Sequence, residues 1–119
     1  MKRLALAALL AVTINAQAAD DWSTTDKALA ASAMTAYALD WAQTRDIANH
    51  PDLYETNPLL GRHPSNGKIN IHFIGTGLIT LGIAHVLPST YRKLFLTGVV
   101  VVEARFISHN AHLGLKVRF

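Results

Sequence analysis

Residues 69–87 read INIHFIGTGLITLGIAHVL, nineteen consecutive positions without Asp, Glu, Lys or Arg, and Pro88 closes the run. A helix of that length rises about 28 Å, close to the hydrocarbon thickness of a bilayer. A buried pair of strands is the competing reading, because Ile, Thr and Gly are frequent here. The unbroken length favours a helix. Gly75 and Gly82 are seven positions apart and share a face, with Ile79 between them. Small residues on one face let a second helix approach closely.

Upstream, Ser23-Thr24-Thr25-Asp26 supplies short oxygen-bearing side chains of the kind that cap a helix N-terminus. The Ala- and Leu-rich stretch that follows has no Gly or Pro until Pro51, so the pattern predicts a helix over about 24–48. Trp22 and Trp41 are nineteen positions apart, about 28 Å along a helix, a spacing that suits two interfacial tryptophans. Asp26, Lys27 and Asp40 trim the apolar run, and a soluble Ala-rich helix is the alternative. Residues 49–68 hold three of the four prolines and form a connector. In it, Asn57-Pro58 reads as a cap with Pro at the first helical position, Gly61 ends that turn, and Ser65-Asn66-Gly67 is turn chemistry.

Downstream of Pro88 a third helix is expected over about 90–112, strongly apolar from Leu94 to Val102 and then interrupted by Glu103 and Arg105. Gly114 ends it. The expected fold is therefore all-α, a small membrane bundle of three helices at about 24–48, 69–87 and 90–112. One feature competes: Leu113, Leu115, Val117 and Phe119 alternate with polar residues, like the closing strand of an outer-membrane barrel. Such a barrel needs about ten residues for each of at least eight strands, which a chain with a long Ala-rich helix does not leave room for.

The first eighteen residues, MKRLALAALLAVTINAQA, have a basic start, an apolar stretch from Leu4 to Ile14, and small side chains at Ala16 and Ala18. This is the pattern of a signal peptide over 1–18, ahead of a single helical domain over 19–119. The chain as a whole carries eleven Lys and Arg against eight Asp and Glu, a net charge of +3, with a pI near 9.5 and mean hydropathy +0.22. Without Lys2 and Arg3 the balance falls to nine against eight. No basic cluster with interleaved aromatics remains, so a nucleic-acid partner is not expected. With no cysteine there is no disulfide, thiolate metal site, cysteine nucleophile or lipoprotein anchor. Basic residues at Arg45, Arg62, Lys68, Lys116 and Arg118 then fall on the cytoplasmic side, against Arg92 and Lys93 in the outer turn.

Ionisable groups inside apolar helices are costly and turn inward to find partners. On the first helix Tyr37, Asp40 and Thr44 share a stripe; on the third, Glu103, Ile107 and Asn110 share one, and Arg105, His109 and His112 another. This points to a polar cluster of Asp40 and Glu103 with one or more histidines, acting as a proton relay or metal site. His109 and His112 stand at i, i+3, the spacing of a ligand pair. In the blander reading the carboxylates pair with Arg105 or backbone donors and set helix register. No catalytic motif is present: there is no Gly-x-Ser-x-Gly, no phosphate-binding glycine loop and no His-Glu-x-x-His. No cofactor is indicated.

Asp40-x-x-x-Thr44 on the first helix, followed by Glu55-x-Asn57-Pro58 in the loop, resembles a family of small proteobacterial and phage-encoded inner-membrane proteins. The resemblance covers most of the chain after residue 19. It implies a helical inner-membrane protein in which Asp40, Thr44, Glu55 and Asn57 shape a common site, and it implies no activity. The expectation is an exported inner-membrane protein delivered by the Sec pathway, working as a structural or interaction subunit. Gly75, Ile79 and Gly82 would pack against a membrane-protein partner or a second copy. The alternatives are a metal-binding or proton-handling membrane protein using Asp40, Glu103, His109 and His112, and a soluble periplasmic helical domain.

Overall fold

The computed structural model describes residues 20–118. The expected signal peptide over 1–18 and the terminal Phe119 lie outside the described residues. Among the described residues there are three α-helices and no strand: α1 (Thr24–Asp46, continued by a 3-10 turn, Ile47–Asn49), α2 (Asn66–Val86) and α3 (Ser89–His112). They run up, down and up. α1 lies against both others, more extensively against α3.

Local chemistry sets the boundaries. The Ser23 hydroxyl accepts from the Asp26 backbone N–H at 3.1 Å and the Asp26 carboxylate accepts from the Ser23 N–H at 3.0 Å, a reciprocal capping box. Ser65, expected in a turn, instead caps α2 by accepting from the Lys68 N–H, so α2 begins three residues earlier than the apolar run suggests. The reason is that Asn66, Gly67 and Lys68 extend the first turn past the hydrophobic segment, where polarity carries no penalty. Gly114, at φ +87°, stops α3, and the Leu115 N–H returns to the Asn110 carbonyl. The alternating tail is not a strand: Leu115 is buried and the Lys116 N–H donates to Asp46 at 2.8 Å.

Small side chains bring the helices together. Ala30, Ala33, Ala84 and Leu96 form the apolar centre, with Leu29, Met34, Leu81 and Val100 packed around it. Gly77 is the α2 glycine that faces α1, where an added Cβ would sit 3.5 Å from the Met34 sulfur; Gly75 and Gly82 look into open space.

The distribution of polarity is unusual for a protein in water. Three fully buried side chains are charged (Asp26, Asp46 and Arg92), while Ile71, Ile74, Leu78 and Ile79 on α2 are each 64–75% exposed. Leu94, Val101, Val102 and Phe106 on α3 are exposed as well. Among the described residues one helix, α2, is long and apolar enough to cross a membrane.

Candidate functional site

Between α1, α3 and the connector lies a cavity of about 590 Å³. Its position follows from the stripe on α1: residues 37, 40 and 44 fall on one face, so Tyr37, Asp40 and Thr44 all reach the same space. α3 contributes Glu103, Arg105, His109 and Asn110, and α2 contributes His72, Phe73 and Thr76. The connector closes it with Glu55, Asn57 and Leu60.

Of the seven polar residues expected to cluster, Asp40, Thr44, Glu55, Asn57, Glu103 and His109 border this cavity. His112 does not. It is exposed, one turn beyond His109, with its Nδ1 2.9 Å from the Ser108 carbonyl oxygen. Arg105 borders the cavity but is exposed, and it takes part in none of the four ion pairs among the described residues.

Asp40 is held by one amide. The Asn110 side-chain N–H₂ donates to the Asp40 Oδ1 at 2.9 Å and to the Gln43 Oε1 at 3.3 Å, and Gln43 in turn donates to the Ile107 carbonyl at 3.2 Å. This network ties α1 to α3. Asp40 and Glu103 border the same cavity. Glu103 is only 8% exposed, and its Oε2 is enclosed without a donor from the protein. Across the bundle the Tyr37 hydroxyl meets the Thr80 hydroxyl at 2.9 Å.

The connector is shaped by its own side chains. The Asn57 N–H donates to the Glu55 carboxylate at 2.8 Å, and the Asn57 Oδ1 accepts from the Leu59 N–H at 3.0 Å. The Asn57 carbonyl accepts from Leu60 and Gly61, and Gly61 takes φ +80°. Asn57-Pro58 thus opens a single turn that Gly61 ends, as expected. Asn57 Nδ2 also approaches the His72 Nε2 at 3.4 Å, which anchors the loop to α2.

Two polar groups that sequence reasoning leaves out hold the bundle together at its ends. Arg92, expected in an exposed outer turn, is fully buried, 3.0 Å from Asp26, and donates to the carbonyls of Ala84, Leu87 and Asp20 at 2.7–3.0 Å. It therefore serves the open C-terminal carbonyls of α2 while pairing with the capping carboxylate of α1. Lys93 reaches the other Asp26 oxygen at 2.8 Å, and Trp22 stacks over the guanidinium. At the far end Asp46 collects Asn49, His50, the Lys116 N–H and Arg118. Asp46 lies beyond Trp41, past the apolar part of α1. Burial pushes its carboxyl up, but the Lys116 N–H and the Asn49, His50 and Arg118 side chains together hold it down at about 2.

Among the described residues no three of His, Asp and Glu converge as a metal ion requires, and His72, His109 and the carboxyls stand around the cavity rather than at one point. Compared with protein-family models, curated proteins and solved structures, the chain matches none.

Proposed function

We propose that this chain is a small exported inner-membrane protein, delivered by the Sec pathway, that acts as a structural or interaction subunit by helix packing. The observation that carries this reading is the inverted polarity of the bundle. Charged side chains are enclosed at 0% exposure while isoleucines and leucines of α2 and α3 face outward. In water that arrangement leaves a large apolar surface uncovered; in a bilayer the same surface meets lipid or a partner helix. The decisive measurement is carbonate extraction of membranes from cells making the full chain. Retention in the pellet is expected, and release into the supernatant would leave a periplasmic domain as the better account.

The packing surface is the outward face of α2 with Gly75, Ile79 and Gly82. A Cβ added at either glycine would have no neighbour within 4 Å, so Gly75→Leu and Gly82→Leu leave the monomer's own contacts intact. Crosslinking in membranes should show loss of association in both variants. Unchanged crosslinking in both would remove this surface from the proposal.

A second reading is favoured by one observation, the enclosed Glu103 Oε2 without a donor from the protein, on a side chain that borders the same cavity as Asp40. In this reading the pair holds and releases a proton. Infrared spectroscopy of the purified protein should show a carboxylic-acid band that titrates and that Glu103→Gln removes.

A further inference from the structure

A second hollow, a groove of about 480 Å³, follows the seam between α1 and α2 and is lined by those two helices alone. Its walls are apolar: Met34 and Ala38 on α1, and Phe73, Ile74, Leu78 and Leu81 on α2. Gly75, Ile79 and Gly82 do not border it, so it is distinct from the packing surface above. One end differs from the rest. Trp41 and Asn70 stand there, with the indole Nε1 donating to the Asn70 Oδ1 at 2.7 Å. The Arg45 guanidinium lies over the same indole, 4.9 Å from its ring centre. Arg45 takes part in none of the four ion pairs among the described residues. The neighbouring Asp46 does not neutralise it, because that carboxylate is spent on Asn49, His50, Lys116 and Arg118. With its oxygen turned to Trp41, Asn70 keeps its N–H₂ group for a further acceptor.

We propose that this groove holds an acyl chain of one anionic phospholipid, with the lipid phosphate on the Arg45 guanidinium and the Asn70 N–H₂. The inference rests on the membrane reading above and names a lipid that the bundle selects. Length and charge argue for this occupant. From Asn70 to Leu81 the groove runs about 16 Å at 1.5 Å per residue, close to half of a hydrocarbon layer roughly 30 Å thick. That is the depth of one leaflet, with a cation and an indole at the headgroup level where tryptophan prefers to lie. A guanidinium presents paired N–H donors that match a phosphate, and the apolar walls below it match a hydrocarbon chain. A spanning partner helix fits less well, because it would need contact through both leaflets. A second copy fits less well too. Two copies in one membrane point the same way, so a two-fold pairing through this groove would set Arg45 against Arg45.

The test is native mass spectrometry of the full-length protein in detergent, titrated with dioleoyl phosphatidylglycerol and dioleoyl phosphatidylcholine in equal amounts. One phosphatidylglycerol should be retained per chain, in preference to phosphatidylcholine by about fivefold, the selectivity that one basic side chain gives toward an anionic lipid. Arg45→Gln should bring that ratio to about one. Ala38→Phe places a ring in the groove from an exposed position and should abolish retention of either lipid. Arg105→Ala removes an exposed guanidinium that does not border the groove, and should leave the preference intact. Glycerol phosphate, an anion without a chain, should not displace the lipid. Equal retention of the two lipids by the unaltered protein overturns the proposal, and this comparison decides the matter even if a variant fails to fold. Unchanged retention in a folded Ala38→Phe overturns it as well, as does displacement by glycerol phosphate. A lipid-free dimer that Ala38→Phe dissociates would give the groove to a second copy and refute the lipid. Carbonate extraction separates the two failures: a chain that stays in the membrane pellet yet shows no lipid preference sinks this inference alone, whereas release into the supernatant sinks the membrane reading with it.

Discussion

The buried charges around Asp26 and those around Asp40 lie on one helix, four turns apart, and are treated in opposite ways. Asp26 is saturated: Arg92, Lys93 and the Ser23 backbone occupy its two oxygens, and Arg92 is itself spent on carbonyls of α2 and the N-terminal segment. Asp40 accepts from the Asn110 amide and shares its cavity with Glu103, one oxygen of which has no donor from the protein. A charge enclosed with complete partners is a fastener, because removing any one of them exposes the rest to a dry interior. A polar atom enclosed without a partner persists only where something else is served, since leaving it so costs free energy. The difference separates a carboxylate whose partners are complete from a carboxyl left with an open acceptor.

The comparison is broken most directly at Arg92. Arg92→Met leaves the last carbonyls of α2 without donors, a loss on the order of 3 kcal/mol that thermal unfolding in detergent should register as the largest in the chain. If Arg92→Met unfolds like the unaltered protein, the end cluster is not a fastener.

Asp46→Asn tests the opposite end, with a smaller effect that depends on pH. The folded carboxyl sits at about 2, below its ordinary value of 3.8, so the fold favours the ionised form. The stability this contributes is fully present above about pH 4 and is lost as pH falls through about 2. Unfolding followed by circular dichroism should therefore separate Asp46→Asn from the unaltered protein at neutral pH and bring the two together near pH 2. A gap that stays constant across this range would contradict the assignment.

Glu103→Gln should act with the other sign. Glutamine offers an N–H₂ to Asp40 and removes an enclosed carboxyl oxygen, so the variant should be more stable by about 1 kcal/mol while losing whatever the cavity does. Destabilisation by a similar amount would place Glu103 with the fasteners. The smallest effect is expected at Arg105, whose exposed side chain makes none of the ion pairs: Arg105→Ala should change stability by less than about 0.5 kcal/mol. A clear loss there would revive the pairing of Arg105 with the carboxyls.

The helices, and several of the residues that border the cavity, are legible in the sequence because their signals are local or periodic. Ser23 with Asp26, Asn57-Pro58 with Gly61, and Gly114 each act within a few residues, so the sequence carries them on its face. Asp40 and Glu103 stand out because an apolar surround forces a carboxyl inward whatever its partner is. The fasteners are not legible, for a matching reason. Arg92 meets Asp26 across 66 positions and the tail N–H of Lys116 meets Asp46 across 70, and no spacing rule reaches that far. A basic pair after Pro88 looks like a solvated turn until a third element, the N-terminus of α1, is brought beside it. The capping of α2 by Ser65 is hidden because Ser-Asn-Gly suits a turn and a helix start equally well.

The parallel pairing of α1 with α3 also bears on how the chain is made. α1 emerges from the ribosome first, Ala-rich and carrying Asp26, Asp40 and Asp46, yet Arg92, Glu103, Asn110 and Arg118 all lie in the last third of the chain. At roughly 5–20 residues per second, some seconds separate the appearance of Asp26 from that of Arg92. During that interval the first helix is an unfinished half, and the bundle closes only once α3 has been made.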